Sequence, residues 1–398
     1  MSAFPPDSAS VARQVPLPTP FALQSGGELR GAEMAVETYG QLTPARDNAI
    51  LLFTGLSASA HAASHRGDTS PGWWEQMIGP GRAFDTGQYC LVSVNSLGSC
   101  FGSTGPGSTD PATGQPYGVG FPELRVEDIA AASQAAVDAL GIQQLHAVVG
   151  TSLGGMTALA HGAMFPGKAR FLASISGALN ASASAVATRS LQREIVGAAL
   201  YRTPGAPSVG QAMRWARKVG VLSYVGASLL EQRFARDQTE PFAGRPSGTA
   251  FEVENWLEYL AQKFERQFNP WSYWHISRAM DLFDFGDHGV ADGGDQPGKR
   301  RTPESVARAA ARLEVEAALV IGVHEDILFP LSQQRAVAEV LKGAGIRTEL
   351  VELNSPYGHD AFLTETALFT PVLQRFLAQG RGSATSRPSH PAHGSLSQ

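Results

Sequence analysis

The sequence predicts an α/β fold in which a mostly parallel sheet is covered on both faces by helices. Six short apolar runs have the length and composition of strands that are buried on both faces. These runs are AILLFT (49–54), YCLVSVN (89–95), LHAVVG (145–150), FLASIS (171–176), AALVIG (317–322) and TELVEL (348–353). Helical segments lie between them, and strands that alternate with helices are typical of a parallel sheet.

Two of these helices have clear boundaries. The apolar side chains of residues 126–140 share one helical face, and Gly141 ends that helix. Residues 333–342 form a second predicted helix, which ends at Gly343. Both helices stand beside a strand, as a sheet covered by helices requires.

The alternation of strands and helices stops near residue 180 and resumes near Val315. Between these points, segments 209–219 and 251–268 are predicted as helices, no strand pair is clear, and residues 286–303 form a Gly/Asp-rich loop. One α/β domain with an insertion fits this pattern better than two domains. The predicted units are a flexible N-terminal arm (1–18), a core (19–180 and 304–380), a helical lid insertion (181–303) and a disordered tail (381–398).

Composition excludes several classes of function. The net charge of −5 gives no support for a nucleic-acid partner, and the lack of an apolar run of 18 residues argues against a membrane span. No secretory signal is evident, so we expect a cytoplasmic protein. Cys90 and Cys100 are too few for a disulfide framework or a thiolate metal site. No histidine pair with metal-binding spacing lies on a plausible helix, so no metal is expected.

The third apolar run leads into the motif Gly-x-Ser-x-Gly around Ser152, and a helix follows. This order is typical of a nucleophile elbow, in which a sharp strand-to-helix turn lifts the serine hydroxyl out of the sheet. Small flanking residues avoid clashes in such a strained turn. A Gly-rich turn with an inert serine would give the same motif. The strand and helix around it nevertheless favour Ser152 as a nucleophile and the α/β-hydrolase fold.

A serine nucleophile needs a base that is oriented by an acid, and in this fold the chain order is serine, acid, histidine. Asp326 lies just past the end of the fifth apolar run, which favours it as the acid. His324 and Glu325 are weaker alternatives, and an N-cap role would also explain Asp326. His359 lies in a Gly-preceded loop after the last strand-like run and is the predicted base.

Two backbone N–H groups are predicted to form an oxyanion hole. Leu153 follows the nucleophile at the start of the helix, where the helix dipole favours negative charge. The second donor should come from the loop after an early strand, and Leu56 is the candidate there.

These segments resemble the homoserine O-acyltransferase family, whose members acylate amino-acid side-chain hydroxyls from acyl-CoA. The resemblance spans about residues 20–378. Its motifs are GWW (72–74), IGPG (78–81), NSLGSCFGSTGP (95–106), GTSLGGM (150–156), ARK (216–218), SRAMD (277–281) and GHD (358–360). Ordinary hydrolases lack the GWW and GSTGP segments, which makes these the more specific part of the resemblance.

The resemblance implies a serine acyl-enzyme, acyl-CoA as co-substrate and no cofactor. It places the charged amino-acid end of the acceptor near Arg217 and Asp360, which suits a carboxylate and an ammonium respectively. Neighbouring Arg214 is an alternative to Arg217, and a surface position on an amphipathic helix would also explain either arginine. The resemblance further implies that the insertion forms a lid and the surface of a homodimer.

Departures from the homoserine pattern resemble the subgroup that acylates L-serine with succinyl-CoA for cysteine synthesis. Thr157 stands where homoserine enzymes generally have Gln, and segments 54–57 (TGLS) and 189–194 (RSLQRE) also differ. One methylene discriminates by only about 1–3 kcal/mol, so small pocket changes suffice to switch the acceptor. Serine O-succinyltransferase is therefore favoured, and homoserine O-succinyl- or O-acetyltransferase, in methionine synthesis, is the alternative.

Two further hypotheses compete with acyl transfer. An esterase or amidase on the same fold would share Ser152, Asp326 and His359 but would admit water to the acyl-enzyme. A binding module that kept the fold without its chemistry would form no acyl-enzyme. The segment 95–106 argues against the first, and the complete set of three residues argues against the second.

Overall fold

The computed structural model describes residues 11–240, 250–290 and 301–380, and an eight-stranded sheet lies at its centre. In their order across the sheet, the strands are β1 (Val11–Pro16), β4 (Glu33–Tyr39), β6 (Cys90–Val94), β5 (Ala49–Phe53), β7 (Leu145–Thr151), β8 (Ala169–Ile175), β11 (Ala317–Val323) and β12 (Arg347–Leu353). The six strands from β6 to β12 pair in parallel, whereas β4 is antiparallel to both of its neighbours. This confirms the predicted fold class.

Helices cover the sheet and connect its parallel strands. In chain order they are α1 (Val126–Ala139), α2 (Leu153–Met164), α3 (Ala183–Leu200), α4 (Val209–Tyr224), α5 (Ala227–Phe234), α6 (Glu252–Gln267), α7 (Pro270–Leu282), α8 (Pro303–Ala310), α9 (Leu331–Gly343), α10 (Ala361–Thr364) and α11 (Thr366–Leu377). Two short ribbons pair β2 (Phe21–Ala22) with β3 (Glu28–Leu29) and β9 (Gln238–Thr239) with β10 (Ala250–Phe251).

The central strands are apolar throughout because both faces of the sheet are covered. In β5, Leu51 and Phe53 belong to a core that includes α1 and α2, whereas Ile50 and Leu52 belong to a second core that includes α11. Successive side chains of a strand point to opposite faces, so an uninterrupted apolar run fills both cores at once. The continuous runs in the sequence have this cause.

The prediction of a flexible arm is wrong for residues 11–16. These residues form β1, which pairs along its whole length with β4 at the edge of the sheet. Val15 is buried, whereas its neighbour Gln14 points to the opposite face and is exposed, as expected for an edge strand with one covered face. Pro16 ends the strand, where its missing N–H costs no ladder bond. Residues 1–10 and the predicted tail 381–398 lie outside the described residues.

Between β8 and β11 the described residues form six α-helices, and five of these, α3 to α7, lie within the predicted insertion. The ribbon of β9 and β10 is also found there, which the sequence did not indicate because each strand has only two residues. The role of this insertion as a lid, and its limits at 181 and 303, stay predictions. Of the helices in the described part of the chain, none combines the length and hydrophobicity needed to cross a bilayer.

Candidate active site

The turn between β7 and α2 places Ser152 in a backbone conformation that is rare for a residue with a side chain. Its φ is 57° and its ψ is −118°. A Cβ added to Gly150 would lie 1.9 Å from the Gly154 carbonyl oxygen, and one added to Gly154 would lie 2.1 Å from that of Phe53. Both glycines are therefore required by close backbone approach, and the motif has a steric cause.

The structure brings the three predicted residues Ser152, Asp326 and His359 into one hydrogen-bonded chain. His359 Nδ1 lies 2.7 Å from Asp326 Oδ2, and His359 Nε2 lies 2.8 Å from Ser152 Oγ. An ionised carboxylate only accepts, so the neutral imidazole carries its proton on Nδ1 and accepts the Ser152 hydroxyl proton at Nε2. All three residues are buried. This is the geometry of a base that is oriented by an acid and directed at a nucleophile.

The two alternatives for the acid point elsewhere. His324 is partly exposed and lies 3.6 Å from Glu352, and a Glu325 carboxylate oxygen accepts the Ser355 N–H at 2.9 Å. Asp326 also accepts the Phe329 N–H at 2.8 Å with its second oxygen, so both of its oxygens have partners. Asp326 is therefore favoured as the acid for two reasons. One carboxylate oxygen reaches His359, and the other is held by the backbone of the loop after β11.

Electrostatics tune the base and its neighbour. Burial alone would lower the pKa of His359, but the Asp326 carboxylate and its hydrogen bond raise it above the ordinary value. Burial raises the pKa of Asp360, and the positive charges of Arg217 and His359 offset only part of this effect. A cation that binds against Asp360 would favour its ionised form.

The two predicted oxyanion donors lie beside the nucleophile. Leu153 is the first residue of α2, so its N–H has no acceptor within the helix. A Cβ added to Gly55 would be in van der Waals contact with the Ser152 Cβ, at 3.9 Å, and Leu56 follows Gly55 in the cavity wall. Two backbone segments therefore meet where an oxyanion on the acyl carbon would form.

A cavity above Ser152 receives charged side chains from the insertion and from the core. Arg189 of α3, Arg217 of α4 and Asp360, which adjoins His359, all line it. Two cations and one carboxylate at the wall favour a ligand with more negative than positive charge.

Aromatic rings hold Arg217. Its guanidinium carbon lies 5.0 Å from the Tyr224 ring centroid and 4.9 Å from that of Phe264. Its Nε is buried without a hydrogen-bond partner among the described residues. The alternative, Arg214, instead donates to Glu265 at 3.0 Å. Of the two, Arg217 is the arginine that faces the cavity.

Arg189 is a site residue that sequence reasoning left without a role. Its Nε donates to Asp281 at 2.6 Å, and Arg193 Nη2 lies 2.6 Å from the other oxygen of the same carboxylate. These side chains are almost fully buried, so two arginines share one acid and leave a net positive charge. Both Nη atoms of Arg189 lack hydrogen-bond partners within the described residues, which makes this arginine a ready anion ligand.

Comparison with known proteins agrees with this geometry. The family described as alpha/beta hydrolase fold matches residues 48–366. The chain belongs to this family.

Similar sequences within the family are O-acyltransferases by name. The serine O-succinyltransferase of Litchfieldella anticariensis is 48% identical over 372 residues, which cover 92% of this chain and 98% of that relative. That of Frateuria aurantia is 47% identical and covers 91% and 97%. An L-serine/homoserine O-acetyltransferase of Streptomyces lavendulae is also 47% identical and covers 92% and 97%. These relatives confirm the resemblance to the homoserine O-acyltransferase family.

Solved structures agree on the fold. A homoserine O-acetyltransferase from Bacillus anthracis superposes with a TM-score of 0.81 at 24% identity, covering 93% of this chain and 98% of that one. The esterase E22 superposes with a TM-score of 0.79, also at 24% identity, covering 92% and 100%. A transferase and an esterase therefore share this backbone about equally, and the likeness shows the fold alone.

A cluster outside the cavity could offer three metal-ligating atoms among the described residues. Glu37 Oε2 lies 3.0 Å from His61 Nδ1 and 3.1 Å from His65 Nε2. The hydrogen bonds favour protons over a metal. His65 Nδ1 accepts the Gly67 N–H, so its proton sits on Nε2, where a metal would have to bind. The two histidines are four residues apart on a loop, which is why a search for histidine pairs on helices misses the cluster.

The same hydrogen bonds favour the imidazolium form of His61. Its Nε2 faces the Ser70 carbonyl at 2.9 Å and its Nδ1 faces the Glu37 carboxylate, and both of these groups only accept. Burial alone would lower the pKa of His61, but the Ser70 carbonyl and Glu37 raise it above its usual value. The ion pair fastens the loop that follows Ala58 in the cavity wall to strand β4.

We expect Gly150→Ala to abolish stable folding. The added methyl would overlap backbone atoms that cannot move without separating β7 from α2, so the free energy of unfolding should fall by more than about 4 kcal/mol. Gly343→Ala is the matched control, because a Cβ there meets nothing within 4 Å. Urea unfolding should show a change within about 1 kcal/mol for the control. Equal stability of the two variants would contradict the steric explanation.

We expect His61 to make the stability of the protein depend on pH. Because its folded pKa is raised, its stabilisation is complete below the unfolded pKa of about 6.5 and is lost as the pH rises through the folded value. His61→Asn keeps a donor near Glu37 at every pH. The free energy of unfolding of the wild type should therefore fall relative to that of the variant as the pH is raised above about 6.5. Parallel curves from urea unfolding would show that folding leaves the pKa of His61 unchanged.

Proposed function

We propose that this protein is a serine O-succinyltransferase, which transfers the succinyl group of succinyl-CoA to the hydroxyl of L-serine through an acyl-enzyme on Ser152. The observation that carries the proposal is the hydrogen-bonded chain of Asp326, His359 and Ser152 at the foot of a cavity lined by Arg189 and Arg217. The names of the full-length relatives at 47–48% identity support it.

In the first half-reaction, the Ser152 oxygen attacks the thioester carbonyl of succinyl-CoA while His359 Nε2 takes its proton. The oxyanion that forms would accept hydrogen bonds from the backbone N–H groups of Leu56 and Leu153. The carbon–sulfur bond then breaks, and the coenzyme A thiol leaves with the proton held by His359. Ser152 now carries the succinyl group as an ester.

In the second half-reaction, the side-chain hydroxyl of L-serine enters the position left by coenzyme A. His359 takes its proton, and the hydroxyl oxygen attacks the ester carbonyl of the acyl-enzyme. The same two N–H groups stabilise the second oxyanion. When the bond to Ser152 breaks, His359 returns its proton to the Ser152 oxygen and O-succinyl-L-serine is released. Coenzyme A serves as the acyl carrier, so the reaction needs no further cofactor.

Charge complementarity supports an amino-acid acceptor. Arg217 offers a guanidinium to the carboxylate of L-serine, and Asp360 offers a carboxylate to its ammonium. Tyr224 and Phe264 hold the guanidinium between their rings, which reduces the entropy lost on binding. Because Asp360 adjoins His359, an acceptor bound there would hold its short side chain near the base.

Arg189 supports a dicarboxylate donor. A succinyl group carries a second carboxylate that an acetyl group lacks, and Arg189 has two buried Nη donors that lack protein partners within the described residues. With Arg193 sharing Asp281, the local charge is positive, so an anion would neutralise it. The Streptomyces lavendulae relative, an O-acetyltransferase by name at 47% identity, makes acetyl transfer the second candidate.

A homodimer stays a prediction. Large apolar side chains are exposed on the helices of the insertion, among them Trp215 and Leu222 on α4 and Tyr259 on α6. Exposed apolar side chains are typical of a surface that another chain covers.

We expect succinyl-CoA with L-serine to give the highest kcat/KM in a matrix of acetyl-CoA and succinyl-CoA against L-serine and L-homoserine. Acid-quenched wild type should carry one succinyl group on Ser152 by mass spectrometry, whereas Ser152→Ala should carry none. A preference for L-homoserine would change the acceptor and leave the mechanism intact. Thiol release at a rate indifferent to the amino acid would instead indicate a hydrolase.

We expect Arg189→Lys to weaken use of succinyl-CoA selectively. The variant keeps the charge but loses the fork that meets a carboxylate with two donors. A buried charged hydrogen bond contributes about 1.5–3 kcal/mol, so kcat/KM with succinyl-CoA should fall about 10- to 100-fold. The value with acetyl-CoA should change by less than about threefold if the loss is confined to that one contact. Equal losses with both donors would show that Arg189 only supports the fold through Asp281.

A further inference from the structure

Phe329 contacts both Asp326 and His359, the first through its backbone and the second through its ring. Its backbone N–H donates to Asp326 Oδ1 at 2.8 Å, and Asp326 Oδ2 accepts from His359 Nδ1. Its ring lies on the His359 imidazole with centroids 5.2 Å apart and planes 19° apart. One residue therefore fixes the rotation of the carboxylate and covers one face of the base.

Two other rings enclose His359 but do not stack on it. Phe362 meets the imidazole edge-on, with centroids 5.6 Å apart and planes 88° apart, and Tyr224 lies at 6.2 Å and 42°. Phe329 is the ring that presents its face, and it is 1% exposed. An aromatic face carries negative charge and attracts a cation placed over it.

We propose that Phe329 is a positioning residue for acyl transfer, whose ring holds the His359 imidazole in plane and stabilises the imidazolium that forms each time a hydroxyl loses its proton. The inference rests on the proposed function, because it assigns that imidazolium to both half-reactions. The backbone N–H to Asp326 survives any side-chain substitution except proline, so changes in the side chain test the ring alone.

Three charged groups also act on the imidazole and are unchanged by substitution of Phe329. Asp326 and Asp360 favour its protonated form, and Arg189 disfavours it. Burial lowers the pKa of His359, and an apolar replacement such as leucine keeps this effect, so removal of the ring removes one stabilising contact while burial and the three charges stay. Without the aromatic face the imidazolium is less stable, and the pKa of His359 is therefore lower.

Phe329→Leu is the test variant, and Phe329→Met is the second if the first does not fold. We expect the acidic limb of the pH profile of kcat/KM to move down by about half a unit to one and a half units, the range that cation–π contacts span from exposed to desolvated sites. We expect kcat to fall about tenfold, because the imidazole gains rotational freedom, and KM for both substrates to change by less than about threefold. Phe329→Tyr keeps the aromatic face and should retain the wild-type profile.

Phe376→Leu is the matched control. Phe376 is equally buried, and its ring packs edge-on against Phe171 on β8 rather than against His359. This control should lose stability as Phe329→Leu does but should keep the wild-type pH profile. If the two leucine variants have the same profile, Phe329 only fills space and the proposal is overturned.

A measurement without turnover separates this inference from the proposed function. The ring of His359 is titrated by NMR in the Ser152→Ala background, with and without Phe329→Leu. A lower midpoint in the double variant supports the role of Phe329 whatever the substrates are, and an unchanged midpoint overturns it. A wild type that transfers no acyl group in the substrate matrix would overturn the proposed function and leave this titration valid.

Discussion

The site depends on one steric constraint, the close passage of the backbone where β7 turns into α2. Gly150 and Gly154 leave no room for a Cβ, because carbonyl oxygens of Gly154 and Phe53 occupy that space. The helix can therefore start directly at the end of the sheet, and Ser152 is forced to a φ of 57°. A strained residue persists only where its surroundings hold it. Here the surrounding backbone of β5, β7 and α2 supplies that support, and the other groups of the site are arranged around a fixed hydroxyl.

In the proposed function the catalytic residues come from the core, and both arginines of the cavity come from the insertion. Ser152, Asp326 and His359 follow strands of the core, so their separations are set by the spacing of the sheet. Arg189 lies on α3 and Arg217 lies on α4, two helices between β8 and β11 that are not part of the sheet. A change in the insertion can therefore alter which acyl donor or acceptor binds without disturbing the hydrogen-bonded chain. This division explains how a transferase and an esterase have nearly the same backbone.

The sequence predicts those features that have local causes. Strands such as β5 and β7 are buried on both faces and leave continuous apolar runs, whereas β4 alternates and β1 is a short edge strand between prolines, so neither was predicted. The nucleophile elbow and the chain order of acid and base are common to this fold. In the structure, Ser152, Asp326 and His359 form the hydrogen-bonded chain that they predict. The contact of Arg189 with Asp281 joins residues 92 positions apart on two crossing helices. Such a pair, like the stacking of Phe329 on His359, depends on how elements pack and leaves no local pattern.

For acyl transfer, an acyl-enzyme on this fold must react with an amino acid faster than it reacts with water. Exclusion of water alone is insufficient, since the acceptor hydroxyl must reach the same position that a water molecule would occupy. Binding of the acceptor by its charged end solves this, because a hydroxyl held near the ester has an effective concentration far above that of a free solute. Arg217 is held by two rings and Asp360 adjoins the base, so both charges of an amino acid would be met within reach of His359. Under the proposed function, transfer would win over hydrolysis through occupancy and orientation, and the same triad without these charged groups would be left to act as an esterase.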